Sequence, residues 1–167
     1  SIRGEAEPWS ERGCRVLLLA AYDTAFDDGP LQSAHVAPIA LVFLSNLLRP
    51  DAQETFRYFA SQGVSVRVIS GDNPITVAQV ATRTGIENAD RYVDATTLST
   101  EQDFEEAVKY YTVFGRVTPE QKRYLVRAFQ KQGHTVAMTG DGVNDVLALK
   151  DANCGIAMAS GSQAASQ

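Results

Sequence analysis

The sequence predicts an α/β protein built on a mostly parallel sheet. From about Ala37 onward, short apolar runs alternate with amphipathic stretches, the pattern of successive strand–helix–strand units. Glycines at 63, 85 and 133 each follow a helix-like stretch and act as stops. Of the 167 residues, 44% are apolar and 21% are charged, which is enough to bury a core and too apolar for disorder.

The elements follow in order. Val16 to Tyr22 reads as a strand, leading into the strong turn Asp27-Asp28-Gly29-Pro30. The first 35 or so residues break the later rhythm, so a boundary is placed near Val36, giving units of 1–36 and 37–167. Ile39 to Leu44 reads as a strand, and Asp51 to Gln62 as a helix. Val64 to Ile69 is β-branched and reads as a strand. Asn73-Pro74 supplies an N-cap and a proline at the first helical position, for a helix running to about Thr84. Glu101 to Tyr110 reads as helix and Thr112 to Val117 as strand. Thr118-Pro119-Glu120-Gln121 is a capping box that starts a helix ending near Gln132. Thr135 to Thr139, Val143 to Asp151 and Gly155 to Ala159 read as strand, helix and strand.

Composition excludes several classes. A net charge of −5 argues against a nucleic-acid partner held through its phosphates. Cys14 and Cys154 match no metal-ligand spacing, rule out a disulfide scaffold and fit a reducing compartment. The longest apolar run, Val36 to Leu44, is interrupted by Pro38 and falls short of the about 20 residues a spanning helix needs. Both ends read as those of a piece of a longer chain.

Three loops follow three predicted strands, and ligands of open parallel sheets bind outside the carboxyl ends of the strands. In the first, Ser70-Gly71 offers a hydroxyl, a bare backbone N–H and a helix N-terminus, a set that suits phosphate. The same residues would also serve as a plain turn and cap. In the second, Lys122 falls in the first turn of its helix, on the stripe of Leu125, Ala128 and Phe129. It would there neutralise a phosphate, or snorkel at the surface. In the third, Gly140 and Gly142 flank Asp141, with Asn144 and Asp145 close behind. Two carboxylates and an amide at such a tip suit a hard divalent cation, Mg2+ with waters completing its shell. Together these parts describe a phosphoryl-transfer site without a nucleophile. Asp23 follows an apolar run, but Thr24-Ala25-Phe26 offers nothing to hold a phosphoryl group, so it is read as a strand-end turn residue.

Thr139-Gly140-Asp141-Gly142-Val143-Asn144-Asp145, continued by Ala148-Leu149-Lys150 and Gly155-Ile156-Ala157-Met158, resembles the hinge motif of the P-type ATPases, membrane cation pumps that form a phospho-aspartate. Ser70-Gly71-Asp72 resembles their Thr-Gly-Asp loop. Arg116-Val117-Thr118-Pro119-Glu120-Gln121-Lys122 resembles the segment carrying their phosphate-site lysine. Gly13-Cys14-Arg15-Val16-Leu17-Leu18-Leu19-Ala20 is similar to the last strand of their nucleotide-binding domain. Asn46-Leu47-Leu48-Arg49-Pro50 is similar to the returning hinge, with Asn46 where the family usually has Asp.

The resemblance implies a three-layer, Rossmann-like, haloacid-dehalogenase-like phosphorylation domain, incomplete here, preceded by a remnant of the nucleotide-binding domain. It implies Mg2+ on Asp141, with Asn144 and Asp145 supporting the loop, and Lys122 and Ser70 on the phosphoryl group. Gly71 belongs to that phosphate loop, while Asp72, Arg116, Arg49 and Arg15 would line the route to ATP. The transported cation would bind in transmembrane helices outside this sequence, and this segment would lie on the cytoplasmic face. The family's Asp-Lys-Thr-Gly-Thr motif, which carries the phosphorylated aspartate, does not occur in these residues. The chain by itself is therefore expected not to turn over ATP, and the lost strand to leave edges that favour a homodimer or a rearranged sheet. A free-standing phosphohydrolase and a non-catalytic Mg2+ or nucleotide-binding module remain the alternatives.

Overall fold

The computed structural model describes residues 2–12, 14–24, 35–45 and 47–158. The expected turn at Asp27 to Pro30, Gly13, Asn46, Ala159 and the polar tail from Ser160 lie outside the described residues. The chain divides into two compact units, Ser1–Arg49 and Pro50–Gln167.

The first unit holds α1 (Ile2–Glu11), β1 (Arg15–Tyr22) and β2 (Val36–Leu44). The two strands pair antiparallel, from Arg15 opposite Leu44 to Tyr22 opposite Val36, with a register shift between Leu19 and Ala20. Here the structure corrects the sequence reading. The run that ends at Leu44 was expected to belong to the parallel sheet, but it pairs antiparallel with β1. An apolar run specifies a strand without naming its neighbour. Helix α1 was not foreseen, because Pro8 lies inside it and breaks the helical signal. The Trp9 ring packs on Phe43 with centroids 4.7 Å apart.

The second unit carries α2 (Ala52–Ser61), β3 (Val68–Ile69), α3 (Pro74–Arg83), β4 (Tyr92–Asp94), α4 (Glu101–Tyr110), β5 (Val113–Gly115), α5 (Pro119–Lys131), β6 (Ala137–Gly140), α6 (Val146–Asp151) and β7 (Cys154–Ala157). All its strand pairs are parallel. β5 lies between β3 and β4, and β6 pairs with β7. Among the described residues no ladder joins the two sets.

Local chemistry explains the helix starts. Asn73 Oδ1 accepts from the Ile75 N–H at 2.9 Å, Pro74 follows it, and Gly85 at φ +80° ends the segment. Thr100 with Asp103, and Thr118 with Gln121, form reciprocal capping boxes on α4 and α5. β3 is shorter than the expected Val64 to Ile69. Its partner β5 starts only at Val113, after α4 has run to Tyr110, and among the described residues only Val68 and Ile69 pair with it. Three-residue β4 escaped the sequence reading because it is too short to show a period.

Helix α5 contributes to two hydrophobic clusters, one against each ladder. Its Leu125, Ala128 and Phe129 pack with Phe104, Phe114 and Val117, while Val126 packs with Met138, Ala148 and Leu149. Leu125 and Phe114 are fully buried, so α5 is fixed along its length and its first turn has a defined place.

Candidate functional site

β3 and β5 are ladder neighbours, so the loops that follow them leave at one sheet edge. Backbone bonds tie these loops together. The Val117 N–H donates to the Ser70 carbonyl at 2.9 Å, and the Arg116 N–H to the Asp72 carbonyl at 2.8 Å. Ser70 Oγ accepts from the Asp72 N–H at 3.1 Å, closing a tight turn. The start of α3 lies directly on β5: a Cβ on Gly115 would come within 2.4 Å of Pro74 Cα, so only glycine permits the approach. At Gly71 a Cβ would meet the Val117 carbonyl at an ordinary 3.8 Å. Glycine there leaves the backbone bare without relieving a clash.

The Thr118 cap places Lys122 in the first turn of α5, where its Nζ bonds Asp145 Oδ1 at 2.6 Å. The two side chains are only 13% and 10% exposed, which makes this a largely buried ion pair. The other carboxylate oxygen of Asp145 accepts from the Gly142 N–H at 3.2 Å. Burial pushes the Asp145 carboxyl up, but the Lys122 hydrogen bond, the Gly142 N–H, the Lys122 charge and the Asp141 N–H together hold it below its ordinary value. Gly140 makes the packing possible, since a Cβ there would fall 2.6 Å from Asp145 Cβ.

This arrangement separates the two carboxylates that the sequence placed together at a cation. Asp145 turns inward to Lys122, while Asp141 and Asn144 are exposed at the loop. Among the described residues, the Asp141 side chain makes no hydrogen bond or ion pair, which leaves a hard oxygen donor open. No group of three or more His, Cys, Asp or Glu that could cage a metal occurs among the described residues. A single open carboxylate of the Asp141 kind is a donor that Mg2+ commonly uses together with water and phosphate oxygens.

Arg116 leaves β5 with φ +52°, a left-handed conformation that is costly for a residue with a Cβ. Its Nη1 bonds Asp94 Oδ2 at 2.5 Å, at the end of β4. The Thr96 hydroxyl is the leading cause that holds the Asp94 carboxyl low. Burial opposes it, and the Thr96 N–H and Arg116 add to it. The sequence reading missed Asp94. Asp94 followed by Thr96 is a recognisable Asx-turn signal, but nothing local announces its partner at 116. Arg15 and Arg49 are exposed in the first unit. Asp23, set aside as a nucleophile, bonds His35 Nδ1 at 2.8 Å.

Backbone bonds thus group the Ser70–Asp72 turn with Arg116, and the ion pair groups Lys122 with Asp145 and the Asp141 loop; among the described residues no side-chain hydrogen bond or ion pair joins the two groups. The chain matches the haloacid dehalogenase-like hydrolase family over residues 5–153. It is 53% identical over 161 residues to the calcium-transporting ATPase CtpE of Mycobacterium tuberculosis, which covers 96% of this chain and 20% of that protein. It is 51% identical over 164 residues to the protein of the same name in Mycolicibacterium smegmatis, covering 98% and 20%. With the probable cation-transporting ATPase exp7 of Streptococcus pneumoniae it shares 41% identity, covering 98% and 21%. The chain therefore spans about a fifth of the length of the curated relatives it matches. No helix among the described residues is long and apolar enough to cross a membrane. By its match over most of its length, the chain belongs to the haloacid dehalogenase-like hydrolase family.

Proposed function

We propose that this chain is the second part of the phosphorylation domain of an ATP-driven cation pump working through an Mg2+-dependent aspartyl phosphate. The observation that carries the reading is the Lys122–Asp145 pair beside the open Asp141 carboxylate, in a chain so similar to cation-transporting ATPases. An ammonium has three donors, so Lys122 keeps others for a phosphoryl oxygen while bonded to Asp145. Ser70 and the bare Gly71 backbone offer further donors, at an edge where the positive end of α3 favours an anion. Asp141 would hold Mg2+, whose chemistry is to neutralise charge on the transferred phosphoryl group. Asn144 and Asp145 would support that loop. Arg15, Arg49, Asp72 and Arg116 would line the route to ATP.

In this reading the first unit is the tail of the nucleotide-binding domain. It extends to Arg49, because β2 pairs back onto β1. The aspartate nucleophile, the cation-binding helices and the membrane belong to other segments of the parent, and the present segment faces the cytoplasm. The 167 residues alone hydrolyse no ATP, and their open strand edges favour a second copy.

The test is ATP-dependent cation uptake by membrane vesicles carrying the full-length parent. Uptake that requires ATP and Mg2+, and that is lost in Asp141→Asn, supports the reading. Uptake that persists in Asp141→Asn contradicts the metal assignment, and a parent that hydrolyses phosphoesters with no cation movement contradicts the pump.

A further inference from the structure

We infer that Asp94 is a positioning residue that holds the Arg116 guanidinium at the nucleotide side of this edge. The inference rests on the proposed nucleotide role of Arg116. Asp94 closes β4 in register with Gly115, the residue before Arg116, so the two side chains leave adjacent strands at the same level. The chain reverses sharply at Arg116, with φ +52°, and two bonds brace it there. Its N–H is fixed to the Asp72 carbonyl at 2.8 Å, and its Nη1 to Asp94 Oδ2 at 2.5 Å.

Asp94 is itself immobilised. Its Oδ1 accepts from the Thr96 N–H at 3.0 Å and the Thr96 hydroxyl at 2.7 Å. The turn it caps is anchored in turn, since the Ala95 carbonyl accepts from Gln121 Nε2 at 3.1 Å. Gln121 precedes Lys122, so one short relay connects the aim of Arg116 with the helix start that carries the phosphate-site lysine.

The division of labour on Asp94 is what makes it a brace. One oxygen serves the turn and the other serves Arg116. Only Nη1 of Arg116 is engaged among the described residues, and the side chain is half exposed. A guanidinium has five N–H donors in a fixed fork, so the remainder can meet phosphate oxygens while Asp94 sets the plane. A long side chain held in this way loses less rotamer entropy on binding than a free one.

The experiment is a double-mutant cycle on the full-length parent, read by the Kd for a non-hydrolysable Mg-ATP analogue. Asp94→Asn keeps the oxygen that caps the turn and removes the charge facing Arg116. It is expected to weaken binding about tenfold, the order of one charge-assisted hydrogen bond. Asp94→Glu, which restores the charge, should recover part of the loss. Arg116→Ala should weaken binding at least as much, and adding Asp94→Asn to it should cost little more, because the brace then has nothing to hold. Losses that simply add, or wild-type affinity in Asp94→Asn, would overturn the inference, as would a wild-type parent that binds no nucleotide. A parent that binds nucleotide with this non-additive pattern but forms no phosphoenzyme supports Asp94 and removes the pump reading instead.

Discussion

Lys122 and Asp145, 23 residues apart in sequence, meet at 2.6 Å with both side chains nearly enclosed. The contact links the first turn of α5 to the Asp141 loop. It also explains why a charged residue lies on the apolar stripe of that helix: the lysine reaches a buried carboxylate instead of solvent.

Lys122→Met leaves the Asp145 charge enclosed without its partner. Breaking such a pair from one side costs about 3–5 kcal/mol. Urea unfolding of this chain should show that loss, and Lys122→Met with Asp145→Leu should recover much of it. Equal stability of wild type and Lys122→Met would show that the pair is solvated.

The same pair sets an acid response. The folded-state pKa of Asp145 lies below its unfolded value of about 3.9, so its stabilising effect is fully present above that value. It is lost as pH falls through the lower folded value. The stability gap between wild type and Asp145→Asn should be constant above about pH 5 and shrink as acid is added below about pH 4. A gap that widens in acid would reverse the assigned direction.

Gly140→Ala forces a Cβ to within 2.6 Å of Asp145 Cβ and 2.9 Å of its Oδ2. A side chain fixed by Lys122 and the Gly142 N–H cannot move aside freely. The expected cost is about 1–3 kcal/mol in thermal or urea unfolding, the usual range for overpacking. Gly71→Ala, with its nearest contact at 3.8 Å, should be tolerated far better.

Thr118→Ala removes the acceptor for the Gln121 N–H and half of the capping box on α5. It should cost about 1 kcal/mol. Hydrogen exchange should quicken at the first turn of α5 and leave the buried turn around Leu125 protected. Uniform loss of protection along α5 would mean the cap has no local role.

These elements show what a sequence exposes. Asn73-Pro74 and Thr118-Pro119-Glu120-Gln121 were legible because a cap is a contact between residues two or three apart. Lys122 was conspicuous for breaking an apolar stripe, and Asp141 for its flanking glycines. The partners were not legible. Asp145 looks like a second cation ligand until the fold turns it toward Lys122. The Arg116–Asp94 pair spans 22 residues and uses a strand too short to show a period. The run ending at Leu44 reads as a strand in any pairing, and only β1, itself apolar, makes it antiparallel.

Asp141 is proposed to serve phosphoryl transfer to an aspartate carried elsewhere in a longer pump. This role is tested most directly by labelled phosphate from ATP, trapped in acid on the full-length parent and on this chain alone. The parent should take up label that hydroxylamine releases, as an acyl phosphate requires. In Asp141→Asn the Mg2+ needed for half-maximal labelling should rise at least about tenfold, since even supporting residues of metal sites cost that much. The 167-residue chain alone should take up none. Label on this chain by itself, or a parent labelled as readily without Asp141, would contradict the account.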